Sequence, residues 1–295
     1  KQIFDAAMQR PVPIPVYAEM GSTNPVFILP GALREWKSEI AEGLTASVTL
    51  GAGQFCTNPG LVFMEESEDA KDFQYSLARR FQEVRSAPML TESIRQAFCD
   101  GIEQLEHVDG VTTLARGKNE GTGFQGNAAL LMTDGAKFLH HAHFEAEVFG
   151  PSTLVISARD KKELFRAAQR LGGHLTATLW ATDDDLRNYT GIVPILERKV
   201  GRLIVNGFPT GVEVCHAMVH GGGFPATTDR RATSVGTLAI TRFARQVCYQ
   251  NFPEPMLPEE LRNRNPEGIW RLIDGVWSNA GVEQRGSAPQ PESAS

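Results

Sequence analysis

Residues 153–206 read TLVISARDKKELFRAAQRLGGHLTATLWATDDDLRNYTGIVPILERKVGRLIVN. Thr153–Ile156 is a short apolar run suited to a buried strand. Asp160-Lys-Lys-Glu163 then has the spacing of a capping box for a helix through Leu171. Gly172-Gly173 stops that helix, and Leu175–Trp180 supplies the next strand. Thr182 and the run Asp183-Asp184-Asp185 open another helix, closing near Gly201 before the strand Leu203–Asn206. Strands alternating with helices of about a dozen residues need crossover connections, which give a mainly parallel sheet. The expected class is α/β.

Working outward, Lys1–Ala7 reads as a helix already under way, with no capping residue before it. Pro11-Val-Pro-Ile-Pro-Val-Tyr17 excludes helix and favours extended chain. Glu35 to about Leu50 is helical in pattern and runs into the glycine break Gly51–Gly53; Leu61–Met64 is a short apolar strand. Ser67 can cap a helix whose first turn holds Glu68 and Asp69 and whose apolar face is Phe73, Leu77 and Phe81. Beyond Gly221-Gly222-Gly223, Leu238–Cys248 is expected to be extended, and Gly286–Ser295 is too polar and proline-rich to order itself.

The balance of 41% hydrophobic and 22% charged residues over 295 positions is that of a globular protein of one large or two smaller domains. A formal net charge of −6 argues against nucleic-acid binding, which relies on basic surface. No apolar run approaches the roughly 20 residues of a membrane span, so no membrane association is expected. Cys56, Cys99, Cys215 and Cys248 are widely spaced, which suits free thiols in a cytoplasmic setting.

Two residues draw chemical interest. Cys56 lies in Gly51-Ala-Gly-Gln-Phe-Cys56-Thr, between flexible residues and an apolar strand, and Glu19 lies in Ala18-Glu19-Met-Gly-Ser-Thr-Asn-Pro25. A thiolate that attacks a carbonyl and a carboxylate that activates water are what a thioester-forming enzyme needs. Spacing alone also allows a buried structural cysteine and a surface carboxylate beside a turn.

Gly-Gln-Phe-Cys56-Thr, the preceding Glu19-Met-Gly-Ser-Thr-Asn-Pro25 and the later Glu147-Val-Phe149-Gly-Pro151 occur in one order. In that order they resemble the aldehyde dehydrogenase superfamily, over about residues 1–280. The variants at these sites look most like the branch of α-ketoglutarate semialdehyde dehydrogenases and NADP-using fatty aldehyde dehydrogenases. The resemblance implies Cys56 as nucleophile and Glu19 as the group that activates the hydrolytic water. It implies Glu147 and Phe149 at the nicotinamide end of NAD or NADP, with a small aldehyde as substrate and no metal. Asn206 is expected to be structural. One oxyanion donor would be the Cys56 amide; the other, an asparagine in relatives, is expected upstream of Lys1. The chain is expected to be the C-terminal portion of a longer enzyme that assembles as a homodimer or homotetramer; the alternative is a truncated chain without hydride transfer, either a residual cysteine esterase or a non-catalytic assembly module. Its divisions would be residues 1–21 (end of a dinucleotide-binding domain), 22–220 (catalytic domain), 221–250 (return segment and oligomerisation strand) and 251–295 (tail).

A histidine near the thiol is implied as well, and His216 and His220 both qualify. Where relatives carry a Ser-Gly-x-Gly-Arg-Glu relay, Thr227–Gly236 holds no glutamate. Three further patterns are set aside. Gly121-Thr-Gly-Phe-Gln-Gly126, with Glu145 beyond it, fits a dinucleotide fingerprint but follows the polar stretch Arg116–Glu120 instead of an apolar strand. His140-His141-Ala-His143 would face opposite sides of a strand. His220-Gly-Gly-Gly suggests an esterase loop, yet no GxSxG elbow accompanies it.

Overall fold

The apolar runs 26–28, 61–65 and 152–158 have no consistently polar face, and a strand of that kind is stable only when covered on both sides. The structure, a computed structural model describing residues 1–282, places them adjacent at the centre of a seven-stranded sheet. In chain order the strands are β1 (Val26–Ile28), β2 (Leu61–Glu65), β3 (Ala87–Pro88), β4 (Thr112–Arg116), β5 (Gln125–Gly126), β6 (Ala129–Asp134), β7 (Ser152–Ala158), β8 (Thr176–Trp180) and β9 (Arg202–Val205). The main sheet runs β4-β6-β7-β2-β1-β8-β9, parallel throughout except for the antiparallel edge strand β4, while β3 and β5 form a separate two-residue ladder. The α/β expectation holds.

Helices α1 (Gln2–Met8), α2 (Pro30–Thr49), α3 (Glu68–Glu83), α4 (Glu92–Glu106), α5 (Gly135–His140), α6 (Lys161–Arg170), α7 (Asp183–Asn188) and α8 (Ile192–Glu197) accompany the strands. Alternation along the strands divides the core. Val26, Ile28, Val62, Met64 and Val155 meet α2 and α3; Phe27, Phe63, Leu131, Leu154 and Ile156 face α5, α6 and α8. Phe73, Leu77 and Phe81 of α3 are fully buried, and burial of each such side chain contributes about 1.5–3 kcal/mol. Ser67 caps α3 by accepting from the Ala70 amide. Among the described residues, no helix is long and apolar enough to cross a membrane.

Several local expectations are corrected. Helix α2 begins at Pro30, not Glu35, and departs from helical geometry at Trp36. Its free amides at Gly31 and Ala32 donate to the two carboxylate oxygens of Asp185, both at 2.9 Å. A cap borrowed from so far along the chain leaves no local mark. Asp160 caps α6 as expected, but the Glu163 carboxylate turns to the Arg159 amide and guanidinium instead of closing a box. The capping box forms at Thr182 and Asp185 instead. The segment 182–201 holds two short helices because Pro194 has no N–H for a continuous one and is accommodated in the first turn of α8. His140 ends α5 and His141 caps it, so neither lies on a strand. Residues 121–126 are bends and the short strand β5, with Gly121 and Gly123 at positive φ.

Lys1–Phe243 is one compact unit, and the described residues from Ala244 onward belong to a second. The stretch expected to be extended from Leu238 instead coils into a 3₁₀ helix over Thr237–Phe243. Local bonds such as Thr241 Oγ1 to the Leu238 carbonyl replace a ladder. In the second unit, expected to be a tail from residue 251, β10 (Arg271–Ile273) and β11 (Val276–Ser278) form a hairpin around Asp274-Gly275, both at positive φ. The Asn265 side chain ties its base through the Ile269 and Asn279 carbonyls. Gly286–Ser295 lies outside the described residues.

Candidate active site

Glu19, Cys56, Glu147 and Phe149 all lie on loops that lead into strands. Glu19 precedes β1, Cys56 precedes β2, and Glu147 and Phe149 precede β7, while a bridge from Val200 to Gly222 holds the His220 loop beside the start of β9. Open parallel sheets usually bind ligands beyond the carboxyl ends of their strands. Here the candidate chemistry gathers at the opposite, amino-terminal rim.

The Cys56 loop leaves α2 through three consecutive left-handed residues, Gly51, Ala52 and Gly53, at φ of 56°, 56° and 68°. For Ala52 this conformation costs roughly 1–2 kcal/mol, a strain that surrounding contacts must sustain. Gly53 packs directly on the Gly150–Pro151 backbone, where a Cβ would collide. Asn58 Nδ2 donates to the Gly150 carbonyl at 2.8 Å. The thiol loop and the Glu147–Phe149 loop are thereby locked together.

Asn24 does the corresponding work toward Glu19. Fully buried and left-handed at φ 44°, it donates through Nδ2 to the Cys56 and Asn58 carbonyls, both at 2.9 Å. Its Oδ1 accepts from Ser22 Oγ and Thr176 Oγ1 at 2.9 and 3.1 Å. Asn206 is structural as expected: at the end of β9 it exchanges bonds of 2.9 and 3.0 Å with the Ala181 backbone.

Cys56 Sγ lies 3.4 Å from His220 Nε2, and the same nitrogen lies 3.3 and 3.2 Å from the two Glu19 oxygens. His220 therefore joins the pair; His216 is exposed and bonds Thr237 Oγ1 at 2.6 Å. His220 is seated by Thr233 Oγ1, which accepts from its amide at 2.8 Å, and by Gly222, which stacks on the His174 carbonyl with no room for a Cβ. The sequence left the two histidines unseparated because only the folded glycine loop decides between them.

The arrangement differs from a nucleophile–His–acid relay, in which the acid holds the far ring nitrogen. Both acids here converge on Nε2, which carries one proton at most. Hydrogen bonds from the protonated ring to Cys56 and then to Glu19 raise His220 from 6.5 to about 9, against the opposing effect of burial. The same contact with His220 lowers Glu19 below the usual carboxylate range. Since His220 is held above its unfolded value, its contribution to stability is fully present below about pH 6.5 and is lost as pH rises through about 9. His220→Gln is expected to lose about 1–2 kcal/mol at about pH 6, after allowance for screening at the part-exposed Glu19, and to match the parent above about pH 10. Urea unfolding across that range checks this; a difference that stays constant with pH would count against the pairing.

Glu147 and Phe149 keep solvent-exposed surface at the same rim. The Glu147 carboxylate nevertheless packs on the bare backbone of Gly21, whose Cβ would lie 3.1 Å from Oε2. Desolvation of that end pushes Glu147 up to about 7, helped by the charge of Glu19 and opposed by the Ser22 amide. A cavity of about 30 Å³ lined by Ser22, Gly53, Asn58, Glu147 and Phe149 has room for water.

The sequence profile of the aldehyde dehydrogenase family matches residues 1–224. Alpha-ketoglutaric semialdehyde dehydrogenase 2 of Azospirillum brasilense is 48% identical over 273 residues, which is 92% of this chain and 52% of that protein. The alpha-ketoglutaric semialdehyde dehydrogenase of Acinetobacter baylyi is 41% identical over 275 residues, 93% of this chain and 52% of that protein. The chain thus spans about half the length of the curated relatives it matches. Among solved structures, an aldehyde dehydrogenase of Bacillus cereus in its NAD+ complex superposes with a TM-score of 0.64 at 18% identity, over 78% of this chain and 45% of that one. A variant of proline utilization A from Bradyrhizobium japonicum gives 0.69 at 21% identity, over 83% of this chain and 24% of that one. These two likenesses concern the fold.

Proposed function

Because the chain belongs to the aldehyde dehydrogenase family, we propose that it carries the thiol half of an NAD(P)-dependent aldehyde oxidation proceeding through a thioester on Cys56. The observation that carries this reading is the convergence of Cys56 Sγ and the Glu19 carboxylate on His220 Nε2, at 3.4 and 3.2–3.3 Å. The names of the two relatives support a semialdehyde substrate such as α-ketoglutarate semialdehyde, with longer-chain aldehydes second.

In this mechanism Sγ attacks the aldehyde carbon, with the His220 ring 3.4 Å from the sulfur. The Cys56 N–H has no acceptor among the described residues and is free to donate to the oxyanion that forms. NAD or NADP, when bound, supplies the hydride acceptor. The Glu147 carboxylate, with two oxygens that suit a ribose diol, and the exposed Phe149 ring would hold its nicotinamide end. Glu19 then activates the water that hydrolyses the thioester. Its ion pair with His220 weakens it as a base, so release of that contact must precede water activation. The exposed apolar residues Leu238, Ile240 and Phe243 support assembly as a homodimer or homotetramer.

The test is formation of NAD(P)H from α-ketoglutarate semialdehyde by the full protein; absence of turnover with every aldehyde tried would reject the reading. Glu19→Gln is expected to slow turnover about 10²–10³-fold while leaving acylation intact. Intact-mass analysis should then show an accumulated acyl-enzyme. Equal loss of acylation and hydrolysis would assign Glu19 a different role.

A further inference from the structure

Among the described residues, one group of three metal-ligating side chains converges: Glu19, Cys56 and His220, with donor atoms all within 4.8 Å of one another. A proton relay needs donors in series, whereas a metal needs them around a point. Here Nε2 lies 3.4 Å from the sulfur and 3.2 Å from a carboxylate oxygen, with all three atoms within 4.8 Å of one another. In tetrahedral zinc sites the metal sits about 2.3 Å from sulfur and about 2.0–2.2 Å from nitrogen or oxygen, which sets donor-to-donor edges of roughly 3.3–3.6 Å. The observed S···N separation of 3.4 Å and N···O separations of 3.2–3.3 Å come close to those edges before any metal enters.

We infer that Glu19, Cys56 and His220 form a reversible zinc site that switches the thiol off. The set has the three protein ligands and open fourth position typical of accessible zinc centres, and a soft thiolate selects against magnesium and calcium. Burial of His220, at 7% side-chain exposure, fixes its ring, while Glu19 at 31% leaves an entry path. Binding is an exchange without redox change: the metal takes the lone pairs of Sγ and Nε2, and the protons on those atoms leave to solvent. A zinc-bound Sγ cannot attack a carbonyl, so the bound state is inactive and a chelator restores it.

The experiment uses the chelator-stripped protein and needs neither aldehyde nor nucleotide, so its outcome is separate from that of the dehydrogenase reading. Titration with Co²⁺ should produce a thiolate-to-cobalt charge-transfer band and tetrahedral d–d bands, saturating at one equivalent per chain. Cys56→Ser should abolish the charge-transfer band. His220→Gln and Glu19→Gln should each weaken Zn²⁺ at least 10-fold in competition with a chromophoric chelator, and His216→Gln should not. Far-UV circular dichroism confirms that each variant is folded. A missing band in the parent, a band that survives Cys56→Ser, or affinity indifferent to His220→Gln would overturn the site.

Discussion

Cys56→Ala is expected to lower both aldehyde oxidation and hydrolysis of an activated ester by at least about 10³-fold, since removal of a nucleophile leaves only what binding and oxyanion donors supply. Ester hydrolysis is the sharper measurement, because acylation of Sγ and its reversal require no nucleotide. The parent should show an initial burst and a mass increase equal to one acyl group, and the variant neither. The side chain is partly exposed and its loop is held by Asn24 and by Gly53, not by sulfur, so the variant should fold normally. Undiminished ester hydrolysis would move the chemistry to another group.

The second large effect is expected in stability. Asn24→Ala removes the donors that satisfy the Cys56 and Asn58 carbonyls and the acceptor used by Ser22 and Thr176. Each buried polar group left without a partner costs about 1–3 kcal/mol, and alanine tolerates the left-handed backbone less well than asparagine. The groups can re-pair in part, so a net loss of about 4 kcal/mol is expected. For a unit of this size that is roughly 8–16 °C in melting temperature. Thermal and urea unfolding measure it, and a change under about 1 kcal/mol would show that the Asn24 network is dispensable.

The parts of this molecule legible in its sequence are those with local causes. The α3 face recurs every four residues, Ser67 and Thr182 cap helices that begin beside them, and the glycine break announces the Cys56 loop. Strand β1 was missed because three residues give no periodicity, although it pairs on both sides. Helix α4 and strands β4 and β6 likewise leave no reading in the sequence. Asp185 illustrates the other limit: its run of acids signals a helix start, while its principal load is the amino end of α2. The pairing of His220 with Cys56, 164 positions apart, arises from close backbone stacking at Gly222 that no spacing rule encodes.

Gathering the chemistry at the amino-terminal rim leaves the other rim of the sheet uncommitted. Strands of five to seven residues, at about 3.3 Å each, put roughly 17–23 Å between the two. Ser67 and Asp160 there are taken up by the caps of α3 and α6, but the exposed side chain of Glu66 offers an attachment point for a fluorophore or a surface tether. Cargo placed there would ride on the rigid sheet, out of reach of the thiol.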